Sequence, residues 1–339
     1  MADMTGAFPA MPRSLQNLPP KWAHFCLGIE RFISDDLALD MTGKTLAVGL
    51  SGGADSTALL LCLHWLAVKN GGRVVAAHLN HRLRPEADDD ARWAASLCES
   101  LGVPCVAREA DVAALAASRG MGLEEAGREA RYTLFADVLA QHEAHFIALG
   151  HHLDDLGEDL LLRLSRGTAW PGLSGMVGRD DGRRLLRPLL LTPKSTLTGL
   201  LTALGVSWRE DATNSDPRWA RNRIRSTVMP LLLQENPNFL DAVARLWRVG
   251  SADRDYWDAQ TATAGTTLLD ATLAGAHRAL RLRLYKAALD SLGPGQALAD
   301  TLFGLDRAWQ DRRIGATFQF PGEKTATVTG SGVVFSPRH

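Results

Sequence analysis

A short apolar run, Lys44-Thr45-Leu46-Ala47-Val48-Gly49-Leu50, passes without a spacer into Ser51-Gly52-Gly53-Ala54-Asp55-Ser56, and a helical pattern begins at once behind it. A strand, a glycine-rich loop and a helix start in immediate succession build a cradle for anions. The glycines let backbone N–H groups approach phosphate oxygens, and the helix dipole favours negative charge at the same place. Ser51 and Ser56 add hydroxyl donors. The loop lacks the Gly-Lys-Ser/Thr ending of a Walker loop and the GxGxxG spacing of a dinucleotide fold.

The rest of the first half repeats the same alternation. Strand patterns at 44–50, 73–79, 103–108 and 145–150 are separated by helical patterns over 56–68, 86–101, 111–118, 123–141 and 154–164. An amphipathic helix over 21–39 precedes them. Such alternation predicts an α/β doubly wound parallel sheet with helices on both faces and a ligand site at the carboxyl ends of the strands. Beyond residue 167, glycine, proline and arginine become frequent, with one more strand expected at 185–191 and helices over 192–204 and 218–233. Residues 237–292 read as almost purely helical, and 313–335 alternate in period two like a small β element. The expected organisation is a loose tail over 1–20, the α/β domain over 21–230, a helical domain over 231–293 and a small C-terminal α/β element over 294–339.

Cysteine usage narrows the chemistry. Cys26, Cys62, Cys98 and Cys105 form no CxxC pair and no metal-ligand spacing, and Cys62, inside the apolar run 59–63, is expected to be a buried, inert thiol. No apolar run is long enough to cross a membrane, and no signal-like segment opens the chain. A cytoplasmic protein is expected.

Serine-Gly-Gly-x-Asp-Ser at 51–56 resembles the pyrophosphatase loop of N-type ATP pyrophosphatases (the PP-loop family, adenine nucleotide alpha hydrolase-like in fold). Four further segments follow in order: His78-Leu79-Asn80-His81-Arg82-Leu83-Arg84; Leu123-Glu124-Glu125-Ala126-Gly127-Arg128-Glu129-Ala130-Arg131-Tyr132; His151-His152-Leu153-Asp154-Asp155-Leu156-Gly157-Glu158-Asp159; and Glu210-Asp211-Ala212-Thr213-Asn214 with Arg221-Asn222-Arg223-Ile224-Arg225. Together they resemble the tRNA(Ile)-lysidine synthetase family over about 44–230. The resemblance implies ATP as substrate with Mg²⁺, free L-lysine, and an isoleucine tRNA with a CAU anticodon. It further implies adenylation of the wobble cytidine, then displacement of AMP by the lysine ε-amine. Within the third segment, Leu156 and Asp159 stand where the family commonly has Gln and Thr. The oligomeric state stays open, a homodimer among the options.

Residue types then suggest roles. Ser51, Gly52, Gly53, Ala54, Asp55 and Ser56 form the expected ATP loop, with Asp55 and Asp155 as Mg²⁺ ligands, carboxylates being suited to a hard cation. Asp155, Glu158 and Asp159 share one helical face, at a cost in mutual repulsion that a cation would relieve. A lysine amine is protonated at neutral pH, and removing its proton costs about 4.6 kcal/mol, so a carboxylate that binds the ammonium and accepts its proton is useful. Asp55, Arg131, His151, Asp155 and Glu158 are the expected catalytic group, Arg131 holding an α-phosphate. Arg128 has Glu124 one turn earlier and reads equally well as a surface pair. Arg82, Arg84, Arg128, Arg218, Arg221, Asn222, Arg223 and Arg225 are the expected tRNA contacts, with Trp219 a candidate for stacking on a base. The run Asp88-Asp89-Asp90 reads as a solvated helix face.

Charge supports a polyanionic partner only when read locally. Over the whole chain, 37 Lys and Arg face 38 Asp and Glu, but residues 163–225 hold twelve basic and five acidic side chains. That stretch suits salt-sensitive tRNA binding. Two other readings remain: a PP-loop thiolase or ammonia-using synthetase, which the lack of CxxC and of a glutaminase segment disfavours, and a tRNA-binding protein with a dead nucleotide site.

Overall fold

The computed structural model describes residues 8–83, 86–209 and 218–338, and the chain divides into two compact units, Met1–Arg248 and Val249–His339. The first unit opens with α1 (Pro20–Arg31), extended by a π turn over Phe32–Asp36. There follow β1 (Thr45–Gly49), α2 (Ala54–Lys69), β2 (Arg73–Asn80), α3 (Ala87–Leu101), β3 (Cys105–Glu109), α4 (Val112–Arg119), α5 (Leu123–Gln141), β4 (Phe146–Ala148) and α6 (Leu153–Ser165). Then come β5 (Arg179–Asp180), β6 (Leu185–Leu186), α7 (Lys194–Ala203), α8 (Ala220–Arg223), a π turn over Ile224–Val228, α9 (Met229–Glu235) and α10 (Phe239–Thr261), within which the unit division falls.

The sheet order is β3-β2-β1-β4-β6-β5, parallel except for the β5–β6 hairpin. Period-two alternation explains why helices cover both faces. Leu46 and Val48 join a core with α1, α2, α6 and α7, whereas Ala47, Val75 and Ile147 face Leu134, Phe135 and Val138 of α5. Helix α2 is apolar nearly all round and buried accordingly; Leu59, Leu60, Leu61 and Leu63 are all fully enclosed. The strand order reverses at β1, whose neighbours are β2 and β4, so the β1/β4 crevice is where such a sheet holds a ligand.

Three expectations change. Residues 8–20 are no loose tail: Leu18 is buried, Phe8 meets Trp93 edge-on with ring centres 5.6 Å apart, and Trp65 Nε1 donates to the Pro12 carbonyl at 2.7 Å. The strand expected over 185–191 stops at Leu186, because Arg187, Pro188 and the turns closed by the Leu190 and Thr192 amides leave the sheet. Residues 249–338 form one unit, not part of a helical domain and a separate β element. There β7 (Thr267–Leu269), α11 (Asp270–Gly275), α12 (Arg278–Asp290), α13 (Ala299–Gln310), β8 (Thr317–Phe320), β9 (Lys324–Thr329) and β10 (Gly332–Pro337) share one core, since β7 pairs with β10 and the stripes of α12 and α13 close on the sheet.

Candidate active site

The loop 51–56 lies at the carboxyl end of β1, and its own hydroxyls hold it. Ser51 N–H donates to Ser56 Oγ at 3.1 Å, and Ser56 Oγ donates to the Gly53 carbonyl at 3.0 Å. Gly52 takes φ +90°, a value that glycine adopts without strain. Helix α2 starts at Ala54 without a side-chain cap, which leaves first-turn N–H groups directed at the crevice. The loop after β4 comes close to this helix start. A methyl on Gly150 would stand 3.0 Å from backbone atoms of Asp55 and Ser56, so any larger residue would press the two loops apart.

His152 joins the two loops. It is buried at the N-cap of α6, with Nε2 3.5 Å from Asp55 Oδ2 and 3.4 Å from Asp155 Oδ2, and Nδ1 3.5 Å from Asp154 Oδ2. Burial alone would lower its pKa, but hydrogen bonds to Asp154 and Asp55 and the charges of Asp155 and Asp55 lift it to about 9. The ring is therefore an imidazolium at neutral pH. Its Nδ1 can accept from the Asp155 N–H, 3.4 Å away, only when neutral, whereas the His152 N–H donates to Asp155 Oδ2 at 3.1 Å in either state. The adjacent His151 goes the other way: burial and the Arg187 charge lower its pKa to about 4, and Arg187 Nε donates to its Nδ1 at 3.2 Å.

Asp55 balances opposite influences. Burial would raise its pKa, but the hydrogen bond from His152 and the charges of His152, Lys194 and Arg225 hold it below the ordinary carboxylate value. Lys194 Nζ, at the start of α7, is 3.9 Å from Asp55 Oδ2, while its N–H donates to Asp154 Oδ2 at 2.9 Å. Asp55 Oδ1 is buried and has no hydrogen-bond partner among the described residues. An orphaned carboxylate oxygen in a phosphate cradle fits a Mg²⁺ ion that brings phosphate oxygens as its other ligands. Asp155, the other expected ligand, fits less well. Its Oδ1 takes Arg221 and Arg225 at 3.1 and 3.2 Å, and its Oδ2 faces His152.

Arg221 and Arg225, one helical turn apart, grip Glu158 as well. Arg221 Nε donates to Oε2 at 2.8 Å and Arg225 Nε to Oε1 at 2.5 Å. These two arginines, expected as backbone contacts to tRNA, thus turn inward, since the i, i+3 carboxylates of α6 offer a matching spacing; each remains 39% exposed. Arg223 stays exposed and donates to the Arg218 carbonyl at 2.7 Å; Asn222 lies beside it, its carbonyl accepting from Ser226 Oγ at 2.8 Å. Trp219 is exposed.

Arg131 lies on α5 one turn beyond Gly127, which packs on His81 behind β2, and forms no salt bridge among the described residues. Arg128 stacks over Tyr132, 4.7 Å from the ring centre, so the pairing with Glu124 is replaced by a cation–π contact. Arg82 pairs with Glu109 at 2.6 Å on the surface. Arg84 and the segment 210–217 lie outside the described residues. The departures at 156 and 159 have local reasons: Leu156 is in the core, and Asp159 pairs with Arg163 at 2.7 Å.

Sequence reasoning passed over Lys194 and Arg209 and read Asp90 as solvated. Asp90 is buried and ion-paired with Arg209 at 2.6 Å, so the acidic run is a solvated face only in part: Asp88, which accepts from Asn80 at 2.7 Å, and Asp89, paired with Arg92, are the exposed members. The thiols are spent in the core. Contact with Cys26 and burial push the Cys62 thiol up, and Cys105 does the same to Cys98. No group of three His, Cys, Asp or Glu among the described residues is arranged around a metal position, and no described helix is long and apolar enough to cross a membrane.

Residues 27–232 match the family model described as a PP-loop domain. A tRNA(Ile)-lysidine synthase of Nitratidesulfovibrio vulgaris is 46% identical over 315 residues, covering 85% of this chain and 91% of that protein. Another from Bacillus subtilis is 38% identical over 203 residues, covering 59% of this chain but only 43% of that longer protein. Among solved structures, a U34-tRNA thiolase of Methanococcus maripaludis shares the fold with a TM-score of 0.55 at 19% identity, over 67% of this chain and 79% of that one.

Proposed function

This chain belongs to the tRNA(Ile)-lysidine synthases, a family built on the PP-loop domain, and from that premise we propose how its residues divide the work. It is an ATP-using enzyme that forms lysidine in an isoleucine tRNA. The proposed lysine donor is free L-lysine and the proposed target the wobble cytidine of a CAU anticodon, in the cytoplasm. The observation that carries the reading is the orphaned Asp55 Oδ1 inside a cradle of unpaired helix N–H groups at the β1/β4 crevice.

In the first step the cytidine carbonyl oxygen bonds to the α-phosphorus of ATP and pyrophosphate leaves. Amides of 51–56 hold the pyrophosphate, and Lys194 offsets its growing charge. Arg131 is assigned the α-phosphate, which a guanidinium can grip with two donors. Asp55 would hold Mg²⁺, whose charge would steady the leaving phosphates. In the second step the lysine amine bonds to carbon 2 of the cytosine and AMP leaves. Asp155 and Glu158, held in place by Arg221 and Arg225, bind the lysine ammonium, and one of the two carboxylates takes its proton as the C–N bond forms. His151 stays neutral and orients by hydrogen bonding.

The test is incorporation of labelled lysine into unmodified tRNA(Ile) bearing CAU, with ATP and Mg²⁺. One pyrophosphate and one AMP per lysine incorporated are expected. Folded protein that releases pyrophosphate with ammonia or a sulfur donor, and not with lysine, overturns the reading.

A further inference from the structure

The glycines that let the loop 51–56 approach phosphate also leave it free to turn its amides elsewhere. A peptide plane carries its C=O and N–H on opposite sides, so fixing one fixes the other. Thr57 Oγ1, just past the loop, donates to the Gly53 carbonyl at 2.9 Å and reaches the Gly52 carbonyl at 3.4 Å, and two groups distant in sequence hold carbonyls of the loop and of the residue before it. Arg209 N–H donates to the Gly52 carbonyl at 2.9 Å, and His78 Nδ1–H donates to the Leu50 carbonyl at 2.9 Å. Holding the Gly52 carbonyl toward Arg209 aims the Gly53 N–H the opposite way, into the loop, where it makes a long 3.4 Å hydrogen bond to Ser51 Oγ that a phosphate oxygen could replace.

Arg209 is itself held. Its Nε donates to Asp90 Oδ1 at 2.6 Å, with the two side chains 16% and 10% exposed. Its stem lies against the loop: a methyl on Gly52 would stand 3.3 Å from Arg209 Cγ and 3.8 Å from Trp93 Cε3. Asp90 stands on α3 at 90, 94, 97, 98 and 101, the spacing of the buried stripe. Its carboxylate is therefore fixed to the core of the unit, and through Arg209 it anchors the loop. Charging a buried position is costly, and a pair placed there for stability alone could be replaced by apolar groups without loss. What an apolar pair could not do is set the direction of a backbone carbonyl.

We propose that Asp90 and Arg209 form a brace that aims the amides of the loop 51–56 at the phosphates of ATP, making both positioning residues for the nucleotide. The inference rests on the ATP site assigned above. Neither side chain needs to touch ATP or lysine, so its removal acts on ATP affinity and leaves lysine affinity alone.

Steady-state lysine incorporation by the full chain, with thermal unfolding measured on each variant, decides the matter. Arg209→Ala and the isosteric Asp90→Asn are expected to raise the KM for ATP about tenfold, in keeping with the cost of small misplacements at a site, while the KM for lysine stays within about twofold. Arg209→Lys, which keeps the backbone donor and a charge for Asp90, is expected to recover most of the ATP affinity. The double variant is expected to match the single ones, because both break the same link. If Asp90→Asn folds and both KM values are unchanged, or rise together, the brace is wrong and the pair serves stability only. Should Arg209→Ala fail to fold, Asp90→Asn and Arg209→Lys carry the same test. Wild-type protein that incorporates no lysine refutes the assigned site instead, which keeps the two failures apart.

Discussion

Glu158 and Asp306 are each 1% exposed and each gripped by arginine, yet the two carboxylates live in different company. In the second unit, Arg281 takes Asp306 with two donors, at 2.7 and 3.1 Å, and lies over Trp309, 5.0 Å from the ring centre, with its side chain 9% exposed. Tyr285 donates to the same carboxylate at 3.4 Å. That cluster is full: one acid takes the buried fork, a second arginine (Arg278, reaching in from the surface at 3.4 Å) and a phenol whose pKa burial pushes well above its ordinary value. Around Glu158 the count is different. Two acids meet two arginines that are each 39% exposed, and next to them a third acid, Asp55, keeps an oxygen with no partner among the described residues. Burial and ion pairing are common to both. Unused capacity marks the site that has chemistry to do.

Removing one partner from each cluster gives the largest contrast. Asp306→Ala leaves the Arg281 charge buried alone, and a loss of about 3–5 kcal/mol in unfolding free energy is expected. Glu158→Gln lets Arg221 and Arg225 turn to water, so a loss of only about 1–2 kcal/mol is expected, with lysine incorporation reduced far more. Urea unfolding of both variants checks this, and equal destabilisation would break the comparison. Next in size, Asp55→Asn keeps the shape of the loop but weakens its hold on a cation; a fall of about 10²–10³ in kcat is expected, about 3–4 kcal/mol. Its unfolding transition should stay near that of the wild type, and restored kcat at millimolar Mn²⁺ would sharpen the assignment.

The paired histidines give a smaller effect that depends on pH. His152, with a pKa of about 9 in the fold, binds a proton more tightly than the unfolded chain does. Its contribution is complete below pH of about 6.5 and is lost as pH rises toward 9. His151, at about 4, binds its proton less tightly than the unfolded chain. Its contribution is complete above pH of about 6.5 and is lost as pH falls toward 4. Tm should therefore peak near pH 6–7, each limb amounting to about 3.4 kcal/mol at most. His152→Gln should flatten the alkaline limb and His151→Gln the acid one. An alkaline limb that survives His152→Gln would show that the imidazolium does not join the two loops.

Much of this arrangement can be read along the chain because it is local. Alternation at Leu46, Ala47 and Val48 sets the two faces of the sheet, and the Gly-Gly step at 52–53 marks the cradle. What escaped reading depends on partners far away in sequence. Lys194 lies 139 positions from Asp55, and nothing around Pro193 signals the encounter. Arg221 and Arg225 have the i, i+4 spacing of a solvent-facing basic stripe, and only the α6 carboxylates turn them inward. Asp90 is different, since its signal was present. It shares the helical spacing of Ala94, Leu97, Cys98 and Leu101, so one member of the acidic run had to lie on the buried stripe. Likewise Phe8 and Leu18 are apolar residues in a proline-rich stretch, and the surfaces they cover, Trp93 among them, lie elsewhere in the sequence.

The smallest effect separates neighbouring arginines of one helix. Arg225 is spent on Glu158, whereas Arg223 is exposed with its guanidinium held near the Arg218 carbonyl. If the basic surface meets tRNA through Arg223, Arg223→Ala removes about one phosphate contact. The slope of log affinity against log salt should then fall by about 0.9 or somewhat less, and binding at moderate salt should weaken by less than about tenfold. Turnover at saturating tRNA should be unchanged, since Arg223 holds none of the reacting groups. Arg225→Ala should do the reverse, lowering turnover because Glu158 loses its closest donor. Filter binding of tRNA across a salt series measures both. Identical slopes for wild type and Arg223→Ala would move the tRNA path away from this helix and leave the inward pair as its only function.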